Sequence, residues 1–388
     1  MTAKSMTSIK DTTHPKTILI CSIRVIGDVI LTTPLLGILN KAYPLAAIDV
    51  MVAAGTGPFL RQDPRVRDVI EVSSKNVGGK RSLREDIGIL SRVFRDYDLA
   101  INMNASDRGN LAVVCAGRKV RVGFFENRGF VKVGWKKLLL SNPLPYDTAG
   151  HTAHLCKLIA DSLALDASRL EVKLYWDDAD MKAVNSRLET LPKGNGYFVI
   201  HPFARWEYKF WPMESFVRLS DEIARNFGLI PVWTAAPAAR ECELLDQYAA
   251  LCQYQPIRIR GEYSLNQMAC LISGAQLYLG LDTAVSHIAA STGVPMIALY
   301  GPTAMNRWFP WNNSAASDQF YDCPRGSFRN GHIVSIQQEC DHPGCVHDRC
   351  LSPCIPRISL GEVYAKAAQL LAESGHLSVT GKNGNGNV

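Results

Sequence analysis

The sequence predicts an α/β protein built from two doubly wound parallel-sheet domains. Three observations lead to this fold class. The chain has 388 residues, which is more than a single hydrophobic core usually holds. Its composition, 47% hydrophobic and 20% charged, is that of a globular protein. Short apolar runs of β-forming residues alternate with helical segments in both halves. We therefore expect a disordered tail over 1–15, domains over 16–180 and 181–358, a C-terminal helix over 359–373 and a disordered tail over 374–388.

The first half begins with an apolar run, TILICSI (17–23), which predicts a buried strand. A Gly-Asp step follows it, and the next residues have helical spacing. Further strands are predicted over 46–54, 67–72, 98–104 and 119–125, and helices over 29–43, 83–97 and 151–165.

The pattern starts again after residue 176, with an amphipathic segment and a turn-rich stretch, PKGNG. The residues from 302 to 358 are rich in Pro, Asn, Cys and Gly, and they predict loops. Strands are predicted over 197–203, 229–235, 256–261, 277–281 and 295–301, and helices over 177–191, 214–227, 239–251, 264–275 and 284–292.

Several classes of protein are disfavoured by what the sequence lacks. Neither the G-x-G-x-x-G pattern nor the P-loop pattern G-x-x-x-x-G-K-[ST] occurs, which argues against a conventional NAD enzyme and a P-loop NTPase. No apolar run is long enough for a membrane span. The polar N-terminus has no signal-peptide core, so we expect a cytoplasmic protein.

The positive charge lies in the first half. Residues 1–180 hold 25 Lys and Arg against 19 Asp and Glu, a net charge of +6, whereas 181–388 hold 17 of each. Such an excess suits an anionic partner, and a solvated basic face explains it equally well. The clustered cations are Arg118, Lys119, Arg121, Arg128, Lys132, Lys136 and Lys137.

The chain has 11 cysteines. Six lie scattered at apolar positions and are expected to be buried. The other five crowd into 323–354 without a C-x-x-C pair, so the usual zinc spacing is missing. A metal site formed by these thiols with His342 or His347 is the alternative.

The first candidate functional junction, RVIGD (24–28), follows the strand 17–23. Gly27 permits a tight turn, and Asp28 stands where a helix begins. Aspartate is a favoured N-cap residue, worth about 1 kcal/mol, and a carboxylate there can also act as a general base on a hydroxyl. The spacing alone favours the N-cap.

The second junction, HPFARWEYKFWP (201–212), follows the strand 197–203. Arg205 and Lys209 could neutralise a diphosphate whose charge grows as a leaving group departs. The alternative is a loop in which Trp211 and Pro212 pack at a helix start. The aromatic content favours a ligand.

The third junction, GLDTAVSH (280–287), precedes an Ala-rich helix. Asp282 and Thr283 are predicted as capping residues, and the small Ala284 lets a phosphate or ribose approach the N–H groups of the first turn. His287 is expected to be a structural, hydrogen-bonded imidazole facing the sheet.

These three junctions, in this order, resemble the ADP-heptose:lipopolysaccharide heptosyltransferases, glycosyltransferase family 9. The resemblance extends over most of the chain, and its first and last blocks are specific to that family. The cysteine-rich end, RCLSPC, also resembles a segment of some members, which argues against a catalytic metal there. The matching blocks are ILICSIRVIGDVILTTPLLGILNKAYP, YDLAINMNASDRGNLAVVCAGRKVRVGF, HPFARWEYKFWP and LGLDTAVSHIAASTGVPMIALYGPT.

The resemblance implies a GT-B fold, in which two Rossmann-like domains face a central cleft. It implies that the N-terminal domain binds the acceptor and the C-terminal domain the nucleotide-sugar. Asp28 corresponds to the catalytic base, and Ala284 stands where the family has Gly. The implied donor residues are Lys209, Arg205, Asp282, Thr283, Ala284 and His287, and the implied acceptor residues are Arg24, Gly27, Arg118, Lys119 and Arg121.

The implied reaction is an inverting single displacement that needs no metal or other cofactor. Its expected partners are an ADP-sugar and the anionic lipopolysaccharide core, with peripheral contact to the inner face of the inner membrane and none to nucleic acid. Two alternatives stay open: a related GT-B transferase using another nucleotide-sugar on a different glycan, and a non-catalytic nucleotide-sugar-binding protein. The presence of Gly27, Asp28 and Lys209 favours an enzyme.

Overall fold

The computed structural model describes residues 14–74, 83–127, 129–146, 149–192, 195–316, 325–338 and 354–376. The chain divides into two units, one comprising Met1–Thr148 and Ala153–Leu170, the other Ala149–Thr152 and Glu171–Val388. Apart from the segment Ala149–Thr152, the first unit ends at Leu170.

The short segment Ala149–Thr152 belongs to the second unit through hydrogen bonds. The N–H of Thr152 donates to the carbonyl of Arg307 at 3.1 Å. The side-chain amide of Asn306 donates to the carbonyl of Ala149 at 2.7 Å.

The first unit is an α/β layer structure. Its strands are β1 (Thr17–Ser22), β2 (Ala47–Ala53), β3 (Asp68–Val72), β4 (Tyr97–Asn102), β5 (Gly117–Phe125) and β6 (Asn142–Pro145), and its helices are α1 (Ile26–Ile30), α2 (Thr33–Ala42), α3 (Leu83–Val93), α4 (Asp107–Ala116), α5 (Phe130–Leu139) and α6 (His154–Ser162). Within the described residues the strand order is β3-β2-β1-β4-β5-β6, and every neighbouring pair is parallel. The order reverses between β1 and β4, which is where such sheets bind ligands, beyond the carboxyl ends of the strands.

The second unit repeats this plan. Its strands are β7 (Tyr197–His201), β8 (Ile230–Ala235), β9 (Ile257–Arg260), β10 (Leu277–Leu281), β11 (Met296–Tyr300), β12 (Phe328–Asn330) and β13 (Ile333–Gln337), and its helices are α7 (Asp178–Leu188), α8 (Met213–Phe227), α9 (Ala239–Ala249), α10 (Leu265–Ser273), α11 (Ala284–Thr292), α12 (Met305–Trp308) and α13 (Leu360–Glu373). The strand order over the described residues is β12-β13-β11-β10-β7-β8-β9. Apart from β12, which pairs antiparallel at the edge, it matches the order of the first unit, with its reversal between β7 and β10.

The core of the second unit contains buried tryptophans whose indole N–H groups are hydrogen-bonded. Trp211 and Trp233 are fully buried, and each indole N–H has a partner: the carbonyl of Ile358 at 2.9 Å and the hydroxyl of Ser220 at 3.1 Å. Trp211 therefore packs in the core, as the alternative interpretation of the second junction required. Burying an indole without a partner for its N–H would be costly.

The predicted α/β class with parallel sheets is confirmed, and some elements differ. The helix predicted over 29–43 is two helices, α1 and α2. Pro34 has no N–H to donate to the carbonyl of Ile30, and the hydroxyl of Thr33 donates to it instead at 2.8 Å. Three elements of the first unit, α4, α5 and β6, are not predicted by the sequence pattern. The segment 302–358, predicted as loops, contains α12, β12 and β13.

Candidate functional site

The first junction lies at the strand-order reversal of the first unit, directly after β1. Val25, not Asp28, occupies the N-cap position of α1, and it makes no side-chain cap. The N-cap prediction for Asp28 is therefore wrong: Asp28 is the third residue of the helix. Asp28 is 5% exposed, and its carboxylate accepts a hydrogen bond from Nε of Arg24 at 2.8 Å.

This arrangement gives the first unit a buried carboxylate at the carboxyl edge of its sheet. Gly27, one residue before Asp28, lies inside the same short helix. The Arg24 side chain is 39% exposed, so the ion pair reaches solvent on one side. The positive end of the helix dipole and a guanidinium both interact favourably with a carboxylate in the first turn of a helix.

The second and third junctions meet in the second unit. Lys209 ends a 3-10 turn, Glu207–Lys209, that follows β7. Its ammonium donates to Oδ2 of Asp282 at 2.9 Å and to Oγ1 of Thr303 at 3.1 Å. Thr303 in turn donates to Oδ2 of Asp282. The structure thus joins two predicted residues and adds Thr303, which sequence reasoning missed because it lies in the segment taken for loop.

The start of α11 has backbone groups without a side-chain cap. Thr283 occupies the N-cap position with extended backbone, but its side chain does not cap the helix. Asp282 precedes the cap and pairs with Lys209 instead. The capping roles predicted for Asp282 and Thr283 are therefore wrong. The first turn, which Ala284 opens, presents N–H groups at the positive end of the helix dipole.

His287 is deep in α11. It is 4% exposed, and burial lowers its pKa to about 4, so the imidazole is neutral at neutral pH. Its Nδ1 has no hydrogen-bond partner among the described residues. The expectation of a fully hydrogen-bonded imidazole is wrong for this nitrogen.

The aromatic residues of the second junction lie partly in the core and partly at the surface. The guanidinium carbon of Arg205 lies 5.2 Å from the ring centre of Trp206. Trp206 stacks on Tyr208 with ring centres 6.3 Å apart, and it is 44% exposed. These residues place a cation and two aromatic rings on the same loop as Lys209.

The predicted acceptor cations of the first unit are not gathered around Asp28. Arg118 and Lys119 lie at the amino end of β5, and both pair with Asp98 at the amino end of β4, at 3.3 and 3.4 Å. Asp28 follows the carboxyl end of β1, so these two cations occupy the opposite edge of a parallel sheet. Arg121 is half-buried in β5, and its Nε has no hydrogen-bond partner among the described residues.

The remaining basic cluster is also heterogeneous. Lys136 is buried, with its ammonium 2.7 Å from the carbonyl of Ala105 and 2.7 Å from the carboxylate of Asp107. Lys137 is exposed, and its Nζ lies 4.6 Å from the ring centre of Phe125. The surface role expected of Lys136 is therefore wrong. Arg128 and the side chain of Lys132 lie outside the described part of the chain.

Over the described ranges, no group of three or more His, Cys, Asp or Glu side chains could hold a metal ion. Cys323, Cys340, Cys345 and Cys350 lie outside those ranges, and Cys354 is buried. No helix in the described residues has the length and apolar character needed to cross a membrane.

Comparison with known proteins gives consistent results. A family described as "Glycosyltransferase family 9 (heptosyltransferase)" matches residues 91–319. The chain is 27% identical to lipopolysaccharide heptosyltransferase 3 of Escherichia coli, over 74% of this chain and 84% of that protein. It is 23% identical to the lipopolysaccharide core heptosyltransferase OpsX of Haemophilus influenzae, over 78% of this chain and 84% of that protein.

Solved structures share the fold. A glycosyl transferase of family 9 from Veillonella parvula superposes with a TM-score of 0.71 at 19% identity, covering 92% of this chain and 97% of that one. E. coli ADP-heptose LPS heptosyltransferase II superposes with a TM-score of 0.68 at 20% identity, covering 92% and 99%. The expected GT-B fold class is confirmed.

Proposed function

The chain belongs to glycosyltransferase family 9, the heptosyltransferases, and from this premise we propose that it transfers heptose from ADP-heptose to the inner core of lipopolysaccharide. One observation carries the proposal. Lys209, Asp282 and Thr303 form a hydrogen-bonded cluster where the strand order of the second unit reverses, beside the uncapped start of α11.

The second unit binds the donor. Lys209 keeps one N–H beyond those it gives to Asp282 and Thr303, and that N–H can meet a diphosphate oxygen. The first-turn N–H groups of α11 supply further donors, and Ala284 is small enough to let a phosphate approach them. Together they hold the charge that grows on ADP as the bond to heptose breaks.

His287, Thr283 and Arg205 complete the proposed donor site. His287 is neutral, so its unpaired Nδ1 can exchange a hydrogen bond with a ligand hydroxyl without adding charge. Thr283 is the N-cap residue of the same helix. Arg205 provides a second cation beside the loop of Lys209, stacked on an exposed indole.

Asp28 is the proposed general base. It takes the proton of an acceptor hydroxyl, the hydroxyl oxygen bonds to the anomeric carbon, and the bond from that carbon to the diphosphate oxygen breaks as ADP leaves. The anomeric configuration inverts in this single step. No step uses a metal, because Lys209 and the start of α11 supply the positive charge.

Arg24 and Gly27 accompany Asp28 on the acceptor side. Arg24 orients the carboxylate through Oδ2, and its exposed portion can contact an acidic sugar. Arg118 and Lys119 are left out of the proposed acceptor site because they lie at the other edge of the sheet. Arg121 stays a candidate only through its unpaired Nε.

We further propose that the protein works at the cytoplasmic face of the inner membrane. The support is the end of α5, where Lys137 is exposed beside Leu138 (81%) and Leu139 (39%). Cations next to apolar side chains suit an anionic membrane surface. Sedimentation with anionic vesicles tests this: binding should weaken as salt rises, and binding that is absent at low salt contradicts it.

A transfer assay tests the main proposal. The protein is incubated with a core oligosaccharide acceptor and, separately, with ADP-heptose, UDP-sugars and GDP-sugars, and the acceptor is analysed by mass spectrometry. We expect addition of one heptose from ADP-heptose alone. Transfer from another nucleotide-sugar supports the related-transferase alternative, and ADP-heptose binding without transfer supports a non-catalytic binder.

A further inference from the structure

Thr303 links the two charged members of the donor cluster. It lies three residues after β11. Its hydroxyl oxygen accepts a hydrogen bond from the ammonium of Lys209 at 3.1 Å, and its single hydroxyl proton goes to Oδ2 of Asp282. The same carboxylate oxygen accepts from Lys209 at 2.9 Å. The three groups therefore close a ring in which each hydrogen has one acceptor.

The hydroxyl of Thr303 limits the orientation of the Lys209 ammonium. A lysine ammonium has three N–H donors at tetrahedral angles. If Asp282 were its only partner, the ammonium could still turn about the axis of its hydrogen bond to Asp282. Two partners fix two N–H directions, and the third direction is then fixed as well. This third N–H of Lys209 has no partner among the described residues, and the side chain is 19% exposed.

Thr303 is itself held in place by a buried side chain from β13. The amide of Gln337, 3% exposed, donates to the carbonyl of Thr303 at 2.9 Å and to that of Gly301 at 2.5 Å. Its oxygen accepts from the N–H of Gly326 at 2.9 Å. Both N–H groups and the oxygen of this amide are hydrogen-bonded, which holds the segment that carries Thr303 against strand β13.

We propose that Thr303 is a positioning residue for Lys209: its hydroxyl aims the remaining ammonium N–H at the diphosphate of the donor, and Gln337 keeps the hydroxyl in register. This inference rests on the proposed function, in which Lys209 binds the diphosphate. Thr303 itself need not touch the ligand. An ammonium aimed in advance loses less freedom when the phosphate arrives.

The test compares Thr303→Val, nearly the same in shape but without a hydroxyl, with Thr303→Ser, which keeps one. ADP affinity is measured by calorimetry, and kcat/KM with ADP-heptose. We expect Thr303→Val to weaken ADP binding by about 5-fold and to lower kcat/KM by roughly 10-fold or more. Thr303→Ser should stay within about 2-fold of the unsubstituted protein. Thr190→Val, at an exposed site in the same unit, is the matched control and should change neither value.

A double-mutant cycle separates positioning from a general structural role. Because Thr303 is proposed to act through Lys209, adding Thr303→Val to Lys209→Met should change ADP affinity by less than about 2-fold. A loss equal to that seen with Lys209 intact overturns the inference, and so does Thr303→Ser behaving like Thr303→Val. If Thr303→Val does not fold by circular dichroism, Thr303→Ala replaces it in the same cycle. Failure of the unsubstituted protein to bind ADP at all overturns the proposed function instead.

Discussion

The two units have the same strand order, but the charged groups that lie where this order reverses differ in sign. In the first unit the loop after β1 presents a carboxylate, Asp28, held by an arginine that is 39% exposed. In the second unit the loops after β7, β10 and β11 bring an ammonium, Lys209, between a carboxylate and a hydroxyl. A doubly wound sheet fixes where a site forms, whereas the loop residues decide its chemistry; here they supply the carboxylate that we propose as the base and the ammonium that we propose as the phosphate ligand.

The supports of the two charges also differ. Asp28 accepts a hydrogen bond from Arg24, whose side chain is 39% exposed, whereas Lys209 belongs to a hydrogen-bonded ring with Asp282 and Thr303 that Gln337 supports. A general base takes a proton from a hydroxyl of its substrate, which is the role proposed for Asp28. A phosphate-binding cation gains from being fixed before the ligand arrives.

The largest expected effect comes from Asp28→Asn. Loss of the proposed general base should lower kcat by about 10²–10⁴-fold and leave ADP affinity unchanged, because the proposed donor site lies in the other unit. Steady-state kinetics and ADP calorimetry measure the two. Asp161→Asn, at an exposed site near the end of α6 where the carboxylate pairs with Lys157 of the same helix, should be neutral in both. A loss of ADP affinity in Asp28→Asn as large as its loss of kcat would contradict the proposal that the base and the donor site lie in different units.

Lys209→Met tests the other half of the comparison. Removing the ammonium should weaken ADP binding by about 10-fold or more, because a charge-assisted hydrogen bond to phosphate is lost. Calorimetry with ADP is the measurement, and Lys182→Met, exposed on α7, is the control. Unchanged ADP affinity would remove Lys209 from the donor site.

Two adjacent lysines of the first unit sharpen the contrast between buried and exposed cations. Lys136→Met should reduce the free energy of unfolding by about 1–3 kcal/mol, because the carbonyl of Ala105 loses its buried donor. Lys137→Met should change it by less than about 0.5 kcal/mol. Urea denaturation followed by circular dichroism measures both, and equal effects would contradict the burial assigned to Lys136.

The smallest expected effect concerns His287 and pH. Its pKa is lowered from 6.5 to about 4 in the folded protein, so between these values the unfolded chain binds more protons and stability falls as pH falls. His287→Gln should reduce the loss of unfolding free energy between pH 7 and pH 5 by about 1–2 kcal/mol. His14→Gln, at an exposed position, should leave the pH dependence as it is. The same pH dependence in both variants would show that His287 does not resist protonation.

The sequence by itself determined the α/β class, the two repeated sheets and the three strand-to-helix junctions. It could do so because apolar strands, helical periodicity and turn residues are local signals that survive without knowledge of contacts. The motif resemblance also gave the family. The same local signals failed at 302–358, where β13 and Thr303 lie, because short strands between polar loops have too few apolar residues to stand out.

Only the tertiary structure decided which of the singled-out residues meet. It joined Lys209 to Asp282, added Thr303 and Gln337, moved Asp28 from the N-cap into the first turn, and placed Arg118 and Lys119 at the wrong edge for the proposed acceptor site. Adjacent lysines 136 and 137 look alike in sequence, yet one is buried and the other exposed. The reason is that hydrogen-bond partners and burial depend on segments far apart in the chain, about which the identity and spacing of neighbouring residues carry no information.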